Sequence, residues 1–535
     1  MRKKQYLGVL LTVFCSVQLS GIAALPQWEA TASNTSDQEA LHLLNRLAFG
    51  PRPGDVARVK AMGVEAYLNQ QLSPQTLAEP SSLTESLNAM PTRRLSQAEL
   101  FQQYSPIPAR LKGGAAPTEE ELRAARKKAQ IVLKEASQAR LMRGVLSERQ
   151  LQEVMTDFWF NHFNVYAPKG LDLIWVGAYE EQAIRPHTMG RFRDLLGATA
   201  HHPAMLFYLD NWQNTAPESP GARGRQQGLN ENYARELMEL HTLGVDGGYT
   251  QQDVVTLAKV LTGWGMVPRR RFLEGRHRGT APLNPNNLFY FDASRHDNQP
   301  KTFLGKRLTG QGQAEGEQAL DLLARHPATA RHISRKLAQY FVSDQPPESL
   351  VIRLSQRFLE TDGNIRSVLY TLFHSPEFWD RAAIGSKFKS PYRYILSAVR
   401  AADVPVKNYS ILAGGLRQMG MPLYGCLTPD GYKNTQDAWL NPDSLTKRLN
   451  LATALSRGWL PLSHDSVDWQ GPGAQKQLNR SRRGAALLGE KAISPQTLLN
   501  TYGPHLSQNT RHAVETAQPA MKAALILGSP EFMKY

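Results

Sequence analysis

Cysteine is nearly absent from this chain, which has two in 535 residues. Cys15 lies inside an N-terminal apolar run, so a chain that loses that run keeps only Cys426 and has no internal disulfide available. The fold must then stand on its core alone. Cys426, in PLYGCLTPDG, has neither a flanking base nor a CxxC partner and reads as a small buried residue. Also missing are a GxSxG elbow, a Walker loop, a GxGxxG followed by a strand, and HExxH spacing. The common serine-hydrolase, nucleotide-binding and zinc-hydrolase classes are thereby disfavoured, and no cofactor or metal is named by the sequence. Hydrophobic residues at 41% and charged residues at 20% exclude both a disordered chain and a multi-span membrane protein.

The first residues, MRKKQYLGVLLTVFCSVQLSGIAALPQ, place Arg2, Lys3 and Lys4 ahead of an apolar run that ends in small residues around Ala23 and Ala24. This is the layout of a Sec-type signal peptide over 1–24, and it predicts an exported protein, periplasmic or extracellular, with no stable transmembrane span once the segment is removed. A retained anchor is the alternative, against which Ser16, Gln18 and Ser20 interrupt the run. Lipidation would need small residues before a cysteine at the end of the run, whereas Cys15 follows Val13 and Phe14 within it.

The formal charge is +15, with Arg123, Arg126, Lys127 and Lys128, then Arg269 to Arg271, then Arg480, Arg482 and Arg483 forming clusters. In an exported protein such patches meet anionic glycans and lipid headgroups rather than nucleic acid, or serve as solvated charge that aids solubility.

Apolar periodicity predicts a mainly α fold: a large multi-helix domain with a short β-hairpin or extended excursion near 286–310, where FYFDASRHDNQ and KTFLGKRLTG alternate. A linker over 25–38 leads to an N-terminal helical unit over 39–115, with helices at 39–47, 54–61 and 63–72. The proline- and glycine-rich stretch 104–118 then acts as a hinge before a main helical domain over 116–535, which carries loop insertions at 266–312 and 464–486.

The densest run of chemistry is GLNENYARELMELHTLGVDGGYTQQDVVTLAKVLTGW, Gly228 to Trp264. Asn230 reads as an N-cap and Gly244 as the C-terminal cap of a helix of about thirteen residues, followed by a second helix opened by Thr250 and Asp253. Arg235 falls four residues from both Glu231 and Glu239, an ion-pair ladder. The functional reading is that Glu236 and Glu239 line a cleft with His241, a set able to do acid–base work. Metal binding is the weaker half of that reading, since Glu236 and His241 lie about 140° apart on an ideal helix.

Other candidates stand beside it. MTDFWFNHFNVY sets His162 among five aromatics and two asparagines, either capping a helix end or walling a polar pocket suited to sugars. IRPHTMGRFRDLL supplies Arg185, His187 and Arg191, and YLDNWQN supplies Asp210, Asn211 and Trp212; cations near histidines suit an anion, and a Trp flanked by amides suits a sugar ring. His296 with Asp297 reads as an oriented base or a simple turn.

Taken together, LLNRLAFGPRPGDV, DFWFNHFNV, GLNENYARELMELHTLG, LLARHPATARHISRKLAQYFV, the SPEFW turn and PLYGCLTPDGY resemble the bacterial family called "domain of unknown function 1800" over roughly residues 40 to 535. The resemblance implies a large, mainly helical exported protein, often encoded beside a sulfatase-like protein, and brings no catalytic residues with it. The sequence therefore leads to an envelope enzyme that acts on an anionic or hydroxyl-rich glycan through Glu236, Glu239, His241 and His162, with the other named residues binding ligand. The alternative is a non-catalytic glycan-binding or envelope assembly factor.

Overall fold

Side chains set the helix boundaries. Ser36 with Glu39, Ser96 with Glu99, Thr118 with Glu121 and Thr250 with Asp253 form capping boxes that open Asp37–Leu47, Gln97–Tyr104, Glu119–Leu146 and Gln251–Val260. Pro203, Pro327, Pro391 and Pro442 stand in first turns, where a missing N–H costs nothing. The computed structural model describes residues 35–107, 116–223, 228–267, 284–464 and 491–535. The signal peptide, most of the 25–38 linker, Arg269 to Arg271, and the 464–486 insertion from 465 on, with Arg480, Arg482 and Arg483, lie outside the described residues. From Thr35 to Tyr535 the chain forms one compact unit, and it is mainly α.

Strand is confined, among the described residues, to two antiparallel pairs. Phe289–Phe291 pairs with Trp264–Met266, and Thr302–Phe303 pairs with Lys306–Arg307. The expected excursion is present, but FYF pairs backwards, with residues just after Gly263, and KTF makes its own hairpin. Gly263 permits this: its φ is +79°, and a Cβ there would stand 2.5 Å from the carbonyl oxygen of Asp292. Trp159, Trp175 and Trp264 are fully buried in the core.

Helix Asp172–Tyr179 runs into a π-helical turn, Glu180–Ile184, which carries two carboxylates that face three arginines. Arg140 reaches Glu180 at 3.1 Å and Asp157 at 2.7 Å, Arg185 holds Glu153 and Glu180, and Arg143 pairs with Glu181. Tyr424 donates to Glu180 at 3.0 Å. This network locks helix Gln150–His162, whose last turn carries His162, against its neighbours.

Candidate functional site

Helix Asn232–Glu239 is shorter than its flanking residues suggest. The Glu236 carbonyl accepts from both Leu240 (2.9 Å) and His241 (3.0 Å), and Leu243 N–H reaches back five residues to Met238, so the chain widens and His241 leaves the helix to turn inward. The 140° separation from Glu236 therefore does not apply. Asn230 is not the N-cap: its Oδ1 accepts from Asn232 two residues on, and its own N–H donates to Asn214. Arg235 pairs with Glu231 at 3.0 Å, and its other contact is Gln251 rather than Glu239.

Across from His241 stands His162. Its Nε2 donates to the carbonyl of His241 at 3.1 Å, and the two rings are 6.1 Å apart. A third imidazole arrives from helix Pro327–Phe341: His332 Nε2 donates to the Leu240 carbonyl at 3.2 Å, with its ring 6.2 Å from that of His162. Because carbonyls only accept, both rings are fixed as Nε2–H tautomers, leaving Nδ1 as the lone-pair atom. His162 Nδ1 and His241 Nε2 are buried with no hydrogen-bond partner among the described residues. Gly244, at φ +84°, lets the chain pass: a Cβ there would lie 2.9 Å from His332 Nδ1. Lys336 follows one turn after His332. It is only partly exposed and makes no ion pair among the described residues; its charged neighbours are Asp430 and Lys433.

Those neighbours sit on a loop held by the two asparagines of the DFWFNHFNV segment. Asn164 donates to the carbonyls of Cys426 (3.0 Å) and Thr428 (2.9 Å), and Asn161 donates to Tyr432 O (2.8 Å) while accepting from Tyr432 N–H (2.7 Å). Asp430 is fastened by Thr428 and Lys433. Glu236 faces the same region, since Asp430 and Glu239 are its acidic neighbours.

Burial sets the electrostatics. Desolvation, assisted by Lys336, holds His162 far below the usual imidazole value, His241 at about 3 and His332 at about 4. Burial lowers Lys336 to about 8, and desolvation with Glu239 raises the Glu236 carboxyl. A lysine with a lowered pKa costs stability below about pH 8, because the unfolded chain keeps the ammonium solvated. We therefore expect Lys336→Met to stabilise the protein by about 1–3 kcal/mol at pH 7, an advantage that shrinks as pH rises from 8 towards 10.5. Urea titrations of both proteins at pH 7 and pH 10 check this; an unchanged or lower midpoint at pH 7 would contradict it.

A family model described as "Protein of unknown function (DUF1800)" matches residues 42–534. The chain belongs to that family. No curated protein and no solved structure matches it. The match spans all four segments that bring these side chains together, those around His162, His241, His332 and Asp430.

The remaining sequence candidates lie elsewhere. Arg185 is spent on Glu153, Glu180 and Glu181. His187 is half-buried near Asp194, and Arg191 pairs with Asp362 on the surface. Asn211 is fully buried and donates to the carbonyls of Leu261 and Trp264, while Trp212 stacks on Phe207 at 6.0 Å. Asp210 pairs with Lys169. His296 is enclosed between the Thr262 carbonyl and Glu315, and Asp297 accepts from Gln299 N–H in a turn. Sequence reading passed over His332, Lys336 and Asp430. The signal available was a His–Lys pair four residues apart in RHISRKLAQYF, which puts both on one side of a helix otherwise rich in core residues. Among the described residues no group of three or more His, Cys, Asp or Glu side chains is arranged to hold a metal ion.

Proposed function

We propose that the protein is an exported cell-envelope enzyme that performs acid–base chemistry on an anionic, hydroxyl-rich glycan, in the pocket formed by His162, His241, His332 and Lys336. Export rests on the pattern of residues 1–24. The observation that carries the reading is the convergence of three uncharged imidazoles, two of them with a buried ring nitrogen that has no partner among the described residues, on an ammonium that makes no ion pair among those residues. A carboxylate or sulfate entering beside Lys336 supplies the missing counter-charge. It also raises the neighbouring imidazoles out of their depressed range, to where they exchange protons. Glu236, whose carboxyl is already raised, serves as the proton donor and Glu239 as the neighbour that keeps it so.

Anionic envelope polysaccharides incubated with the full mature chain, with fragments read by mass spectrometry, test the proposal. Cleavage that falls about 10²–10⁴-fold in Glu236→Gln supports it. Saturable binding without cleavage assigns the pocket to a glycan-binding or assembly factor instead, and neither binding nor cleavage across such polymers overturns both readings.

A further inference from the structure

A groove of about 730 Å³ opens between helices Glu119–Leu146, Tyr409–Gln418 and Pro442–Ser456, and shares no residue with the histidine cluster. Leu133, Ile411, Met419, Leu423, Leu451 and Trp459 make its walls predominantly apolar. Each of the three helices adds one cation, Lys134, Arg417 and Lys447, and no carboxylate of the described residues lines it. Lys447 is held by Asp443 at 2.5 Å, whereas Lys134 and Arg417 make no ion pair among the described residues.

A second feature concerns the wall itself. Gly414 and Gly415 stand in the middle of a helix, where glycine is the least favourable residue short of proline. Gly415 has a packing reason, since a Cβ there would meet Ile395 Cδ1 at 3.1 Å; a Cβ on Gly414 would meet nothing within 4 Å. No contact among the described residues requires Gly414 to be bare. What its missing side chain does is keep the groove open.

We infer that this groove binds a long-chain fatty-acid anion, its acyl chain along the apolar walls and its carboxylate at Lys134 and Arg417. The volume lies within the range of about 300–1,000 Å³ typical of small-molecule sites. An apolar wall with a wholly cationic charged lining complements an amphiphile with a negative head, while a neutral lipid leaves those cations unused.

The full mature chain, stripped of lipid, is titrated with a fluorescent fatty-acid probe that is then displaced by hexadecanoate or by hexadecanol, which has the same chain and a neutral head. Saturable displacement by hexadecanoate is expected. Gly414→Trp should weaken it by about tenfold or more with thermal unfolding unchanged. Lys134→Glu with Arg417→Glu should weaken hexadecanoate similarly and leave hexadecanol as it was. No displacement by hexadecanoate, or equal affinities in wild type and both variants, overturns the inference. So does a dimer of the lipid-free protein whose groove amides are protected from hydrogen exchange, which would assign the groove to a second copy of the chain.

Discussion

Lowering the pH from 7 to 5 should weaken this protein by several kcal/mol. Five histidines are folded in as neutral rings: burial holds His42, His202 and His241 at about 3, His332 at about 4, and His162 far below its ordinary value. The unfolded chain takes up protons on these residues near pH 6.5, and the folded chain does not. Their cost is absent above pH 7 and grows as pH falls from 6.5 towards the folded values, by about 1.4 kcal/mol per pH unit for each ring at most. Total stabilities are about 5–15 kcal/mol, so a fraction of that sum is decisive. Urea midpoints at pH 7, 6 and 5 measure it: a steep fall is expected, and a flat profile would mean that these rings are solvated or charged in the folded protein. Two of the five have purely structural partners. His42 donates to the Phe378 carbonyl at 2.9 Å, and His202 Nδ1 caps the Pro203–Tyr208 helix by accepting from Ala204 N–H at 3.2 Å.

Arg185→Ala should cost about 3–5 kcal/mol, because it strands carboxylates that have been taken out of water. The Arg185 side chain is 12% exposed and those of Glu153 and Glu180 are 4% and 2% exposed, so solvent cannot take over its role. Burial already raises the Glu153 carboxyl, and without Arg185 it rises further. Denaturant unfolding of Arg185→Ala, and of Arg185→Ala with Glu153→Gln, separates the causes: the second change should restore part of the loss by removing the stranded charge. A stable Arg185→Ala protein that had lost glycan binding would return Arg185 to the ligand-binding role that its neighbourhood of His187 and Arg191 suggests in the sequence.

Local features were legible where local chemistry decides them. Thr250 with Asp253 forms the capping box its spacing indicates, and the turns around Pro51 and Pro53 separate helices close to where periodicity places them. The strand near 289 was visible in FYF, but its partner was not, because Trp264–Met266 is three residues long and paired across a segment of more than twenty. Helix Asn232–Glu239 ends early for a reason that no cap encodes: the Glu236 carbonyl takes two N–H groups, and the inward turn of His241 is secured by the His332 donor from a helix some ninety residues downstream. Composition could place His162 and His241 among candidates. Only packing could separate them from Arg185, Asn211 and His296, which it turns towards Glu153, the Trp264 carbonyl and the Thr262 carbonyl instead.

Lys336 stands among neutral imidazoles, and the proposed function needs an anion to bind beside it. Amine labelling of the full chain across pH 6 to 10, with peptides read by mass spectrometry, tests it most directly. Lys336 should become half-reactive near pH 8, well below the value of about 10.4 for solvated lysines, and an anionic oligosaccharide should protect it and move this midpoint upward. Labelling of Lys336 in step with the surface lysines, unaltered by anionic oligosaccharides that bind the protein, would contradict it.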